Sequence, residues 1–251
     1  MILNRVDQRK GSVRDSMDTT FSGFPPEALD FLRSLKRNNR RPWFQKNKPI
    51  YDEKVRQPMV ELVQALNHEL LGIAPEMVTE PRRAIYRIYR DVRFSPDKSP
   101  YKTHIAALFT PRNLPKHAGG GFYIHLSPDE LLVAGGVYMP GPKELWEIRN
   151  HIAQNAATLR RIVAERRFKE YFGSLEGDQL TRVPKGFPCT HPAADLLRHK
   201  QFLVSVTHSP EQGLDPGLLG FLIRYFRAMT PLIRFLNKPL MGALKRDPLE
   251  D

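Results

Sequence analysis

The sequence predicts an α+β protein: a central, mainly antiparallel β-meander flanked by N-terminal and C-terminal helices. The first of three supporting observations is a change of apolar period, from helical to alternating and back along the chain. The second is the shortness of the links between successive alternating segments, which favours antiparallel neighbours. The third is a hydrophobic content of 41% over 251 residues, enough for one core. The expected organisation is a disordered tail over residues 1–20 and a single domain over 21–251.

Nothing before Phe21 has a folding pattern, so Met17 would serve as a start as well as Met1. From Pro25 the pattern is helical, with Ala28, Phe31, Leu32 and Leu35 on one face and Asn38-Asn39 as a left-handed stop. A short segment from Pro42 carries Trp43, Phe44 and Asn47. A longer helix runs to Leu70 on Val55, Met59, Leu62, Val63 and Leu66, with Pro58 as its kink or its true start. Trp43 and Phe44 suit core packing better than base stacking.

Ile85–Phe94 is rich in β-branched and aromatic residues and is predicted as the first strand, with Ile105–Thr110 as the second. Pro96 and Pro100 lie between them. Phe122–Leu126 follows Gly119–Gly121 as the third strand. Ser127-Pro128-Asp129 is a turn, and Leu131–Met139 is the fourth strand, bulged at Gly135-Gly136. Helical periodicity then returns in 144–152, 159–172, a short helix from Pro192 to Leu197, and 218–236, interrupted at Pro231. Phe202–Thr207 offers a fifth strand.

Charge narrows the functional classes. The chain carries a formal +12. Residues 82–117 hold nine Lys or Arg against two Asp, a net +7, so the excess is local. Cys189 is the only cysteine, which rules out an intrachain disulfide and points to a reducing compartment, the cytoplasm. No apolar run reaches the ~18 residues of a membrane span. There is no HExxH, no paired cysteine and no P-loop, and no cofactor or resident metal is expected. Cys189 and His191, two apart, read as a buried thiol beside an unrelated imidazole rather than a catalytic pair.

The charge concentrates in Arg87–His104, RIYRDVRFSPDKSPYKTH. As a strand, 85–95 would put Arg87, Tyr89, Asp91, Arg93 and Ser95 on one face. Arg90 would stand among Tyr86, Ile88, Val92 and Phe94 on the other, mostly buried and needing a partner. Guanidinium forks, ammonium groups and hydroxyls converging on one loop are suited to a phosphate-like anion. Arg93, Lys98 and Lys102 are the expected anion ligands, sharing one site, with Arg87 and Arg90 behind them and Ser95 and Tyr101 supplying hydroxyls. Lys185, beside Gly186 in an irregular segment, is a further candidate. His104 and Asp91 are where acid–base chemistry would be sought.

The run from Arg90 to His104, RDVRFSPDKSPYKTH, resembles the signature of an uncharacterised family of bacteria and fungi, domain of unknown function number 2461. Asn38-Asn39 with Trp43-Phe44 and Asn47, Gly135 with Tyr138 and Pro140, Arg149, and Pro184–Phe187 followed by His191-Pro192 match as well. The resemblance spans Phe21 to Leu236. It implies a shared fold and brings no activity with it.

Three functions fit these residues. The leading one is binding of a phosphorylated or otherwise anionic small ligand in a basic pocket on the sheet, with acid–base chemistry as an extension. The second is a nucleic-acid-binding module using the same patch along a phosphate backbone. The third is a structural or partner-binding domain without a ligand.

Overall fold

The computed structural model describes residues 21–243 except 94 and 116. The expected tail over residues 1–20 and the end of the domain beyond 243 lie outside the described residues. Helix α1, Pro26–Arg37, starts on a proline at its first position and buries Ala28, Leu29, Phe31, Leu32 and Leu35. Its end differs from the expected left-handed stop. Asn38 has φ −130°, and its side-chain amide folds back to donate to the Ser34 carbonyl.

Helix α2, Arg41–Ile50, runs through a π-helical turn, Tyr51–Arg56, into α3, Gln57–Ile73. Pro49 and Pro58 have no N–H to give to an i→i−4 ladder. The wider turn between them absorbs that loss, with Gln57 N–H donating to the Asp52 carbonyl. Pro58 therefore marks a true helix start. After the single turn α4, Pro81–Ala84, the chain enters the sheet region.

Four strands form one antiparallel sheet in the order β1 (Ile105–Phe109), β2 (Gly121–Leu126), β3 (Leu131–Val137), β4 (Phe202–His208). The α+β class holds, with one strand exchanged. The segment 202–208 completes the sheet, whereas 85–94 makes only two isolated bridges, Ile85↔Ala107 and Tyr89↔Tyr101. Gly135 and Gly136 keep register with both neighbouring strands, so the expected bulge is absent. They serve close approach instead: Gly136 has φ +114°, and a Cβ on Gly135 would run into Met229.

Alternation gives the sheet two unlike faces. Phe109, Phe122, Ile124, Val133, Val137, Phe202 and Val204 are buried toward α8, Leu218–Ala243. Phe122 stacks on Phe226 of α8 with ring centres 4.5 Å apart. Pro231 is carried inside α8 without ending it. Leu108, Tyr123, His125, Leu132 and Ala134 line the other face and stay partly accessible. Helix α5, Pro142–Ala164, is kinked at Asn155 and followed by α6, Arg166–Phe172. The expected gap after Ile152 is this kink, and the true break lies at Glu165, whose side chain accepts from Phe168 N–H. Helix α7, Ala194–Leu197, is a single turn before β4.

Three asparagines clamp the backbone as a β-partner would, accepting from an N–H and donating to the carbonyl of the same residue. Asn39 grips Tyr101 at 3.1 and 2.9 Å. Asn67 grips Thr79 at 3.0 and 2.7 Å. Asn237 grips Gly120 at 2.7 and 2.9 Å. Each satisfies a pair of backbone groups left without a strand neighbour. Among the described residues no helix is long and apolar enough to cross a membrane.

Candidate functional site

The basic segment forms an irregular arm along the free edge of β1. Tyr86 N–H donates to Ala106 O, Lys102 N–H to Ile88 O and Arg90 N–H to Pro100 O. Between the Ile85↔Ala107 and Tyr89↔Tyr101 bridges, the return side carries two residues more than the outgoing side. Thr103 and His104 lie in that surplus as bends. This explains why periodicity suggested a strand and the backbone does not make one: the register slips by two in the middle of the ladder.

The tip of the arm is built on two aspartates. Asp91 accepts from Arg93 N–H at 3.2 Å and from the Arg93 guanidinium at 3.0 and 2.7 Å. That pairing holds its carboxyl down at about 2. Asp97 accepts from Ser99 N–H at 2.9 Å and Ser99 Oγ at 2.6 Å, and it pairs with Arg90. These bonds, Ser99's first, lower its pKa as well. Arg90 is therefore partnered as expected, although its side chain keeps 36% exposure. Lys98 donates to Val92 O at 2.9 Å, and Lys102 donates to Arg87 O at 3.2 Å.

The expected cluster of Arg93, Lys98 and Lys102 thus separates. One is held on Asp91, and the two lysines are held on carbonyls five residues apart. Arg87, Lys98 and Lys102 have no ion-pair partner among the described residues. Ser95 is half-buried between the two Asp turns. Tyr101 corrects an expectation. Its ring is 2% exposed and stacks on Phe44 at 4.0 Å, so it belongs to the core rather than to a ligand. Lys185 is exposed in a turn whose Gly186 and Phe187 pack on Trp146 of α5. It follows the stretch that bridges to β4, at the opposite edge of the sheet.

The structure adds residues that charge counting missed. Lys102 Nζ lies 5.1 Å from the centre of the Tyr86 ring, and Tyr86 meets Tyr123 edge-on at 6.2 Å. His104 stacks on His125 at 4.9 Å. His125 Nδ1 is 3.1 Å from Tyr123 Oη, and His125 Nε2 is 3.0 Å from Glu130 Oε1. A carboxylate can only accept, so Nε2 carries the proton and Nδ1 accepts from the Tyr123 hydroxyl. Burial raises Tyr123 above the ordinary phenol range, which keeps that donor protonated. The signal for this group was the alternation in Gly121–Leu126, which sends Tyr123 and His125 to the open face together.

The electrostatics of the face favour a missing negative charge. Burial, then the charges of His125, Lys102 and Arg90, push His104 down to about 4, so it is neutral at pH 7. Burial also lowers His125, against the pull of Glu130. Lys102 is lowered by burial first and by the like charge of Arg87 second. Among the described residues no group of three His, Cys, Asp or Glu is disposed to hold a metal ion.

The model of a family described as conserved hypothetical protein (DUF2461) matches residues 27–235. The chain belongs to this family. The matched span covers every element of the sheet, the arm and the helices behind them, so the arm is part of the DUF2461 domain itself. No curated protein and no solved structure matches the chain.

Proposed function

We propose that the open face of the sheet binds a phosphorylated or otherwise anionic small ligand between Arg87 and Lys102, with His104 and Tyr86 beside it. The observation that carries this reading is the state of Lys102. Its ammonium is partly buried, depressed by the like charge of Arg87, and engages a carbonyl and a ring face but no carboxylate. An anion there would offset both costs through charge-assisted hydrogen bonds. Lys98 is the next nearest cation in sequence without an acid, while Arg90 and Arg93 are already neutralised by Asp97 and Asp91.

His104 is the group suited to proton transfer in such a complex. A neighbouring anion would raise its pKa from about 4 toward neutrality, where an imidazole can both take and give a proton. In this reading Asp91 acts as the partner of Arg93, since its carboxyl stays ionised at every working pH.

The test is a thermal-shift titration with inorganic phosphate and pyrophosphate. Stabilisation should appear for the wild type and for Arg93→Ala, and should be lost in Lys102→Ala. Stabilisation that survives Lys102→Ala would overturn the reading.

Single-stranded nucleic acid is the second reading, favoured by the exposed rings of Tyr89 (49%) and Tyr138 (65%), available for base stacking. Salt separates the two: contacts to several phosphates weaken steeply as salt rises, whereas one anion in a compact site weakens much less.

A further inference from the structure

On the helical side of the molecule, α5, α6 and α8 enclose a cleft of about 870 Å³. Its floor is apolar: Ile162, Phe168, Tyr171, Ile223, Ala228 and Pro231. Its rim carries four arginines, Arg161 from α5, Arg167 from α6, and Arg224 and Arg227 from α8, against Glu165 and Glu170.

Arginines elsewhere on this protein are spoken for by carboxylates: Arg33 with Glu211, Arg90 with Asp97, Arg93 with Asp91, Arg160 with Asp195 and Arg234 with Glu76. The rim arginines are different. Arg161, Arg167 and Arg227 have no ion-pair partner among the described residues, and Arg224 lies 5.7 Å over the Phe221 ring. Glu165, the nearer acid in sequence to Arg161 and Arg167, is used to cap α6.

We infer that this cleft is a binding site for a single-chain anionic amphiphile, an apolar chain ending in a carboxylate or phosphate. Each half of the site excludes the simpler ligands. A small inorganic anion would leave the apolar floor wet, and a neutral hydrocarbon would leave the guanidinium forks without acceptors. A nucleic-acid strand would bring successive phosphates onto Glu165 and Glu170. The volume is within the range of small-molecule sites, roughly 300–1,000 Å³. This site is separate from the arm on the open sheet face and does not depend on what the arm binds.

Calorimetric titration with decyl phosphate and with decanoate, below their micelle concentrations, tests this. Decyl maltoside and decyltrimethylammonium supply the same chain with no charge and with the opposite charge. The wild type should bind the two anions and neither control. Arg161→Gln with Arg227→Gln, both exposed and remote from the core, should weaken decyl phosphate by about tenfold, the loss of one charge-assisted contact. Ala228→Phe, which fills the floor and leaves every charge in place, should weaken it as well. Lys102→Ala should leave it unchanged, which distinguishes this cleft from the arm. Sedimentation with anionic phospholipid vesicles identifies the source of the ligand. Binding to vesicles that the double variant loses assigns the headgroup to a membrane, and binding of the free amphiphile alone assigns it to a soluble ligand. Equal binding of all four amphiphiles, binding of none of them and of no vesicle, or unaltered binding by the double variant would each overturn the inference.

Discussion

His104 and His125 lie face to face, 4.9 Å between ring centres, one from a two-residue surplus in the arm and the other from the middle of β2. Only one of them has a carboxylate: Glu130 holds His125, while His104 looks toward Lys102 and Arg90. The pair couples the arm to the sheet and makes the arm sensitive to acid.

The sign follows from the depressed pKa. His104 titrates near 6.5 when unfolded and at about 4 when folded, so the unfolded chain binds more protons between those values. Stability should therefore fall as pH drops from about 6.5 to about 4. His104→Gln should lose roughly 2 kcal/mol less over that window than the wild type, allowing for partial solvent screening of a group that is not fully buried. Urea unfolding at pH 7 and pH 4 measures it. Equal losses in both proteins would show that His104 is not the buried neutral base described.

Asn39 should act as the latch of the arm. Asn39→Ala removes two hydrogen bonds to Tyr101 and leaves a backbone N–H and C=O without their partner. A loss of about 2–3 kcal/mol is expected. Amide exchange at Tyr101 and Lys102 should quicken while that at Ile124 in β2 does not.

Tyr101→Ala tests the corrected assignment of that residue. As a core ring stacked on Phe44, it should cost about 3–5 kcal/mol of stability. A ligand hydroxyl at an accessible site would cost much less, so a change under about 1 kcal/mol would restore the earlier expectation.

Much of the fold was legible because burial writes a period into the sequence. The alternation in 105–109, 121–126 and 131–137 and the apolar stripes of α1, α3 and α8 are consequences of one face meeting a core. Ile85–Phe94 shares the composition of a strand, but composition carries no register. The surplus at Thr103 and His104, and the choice of 202–208 as the fourth strand, depend on pairings far apart in the chain. The candidate site divides in the same way. Clustered charge pointed to the arm, yet which cations are cancelled was decided by bonds to Asp91 and Asp97 that spacing alone did not assign. Tyr123, His125 and Glu130 were visible only as one polar face of a strand and the turn after it.

The most direct test of the proposed anion site is the titration of His104 by NMR, with and without saturating inorganic phosphate. An anion held between Arg87 and Lys102 places a negative charge beside the ring. The His104 pKa should then rise from about 4 by about one unit or more. It should not rise in Lys102→Ala. A His104 pKa that is unmoved by phosphate in the wild type, or that moves equally in Lys102→Ala, would contradict the site.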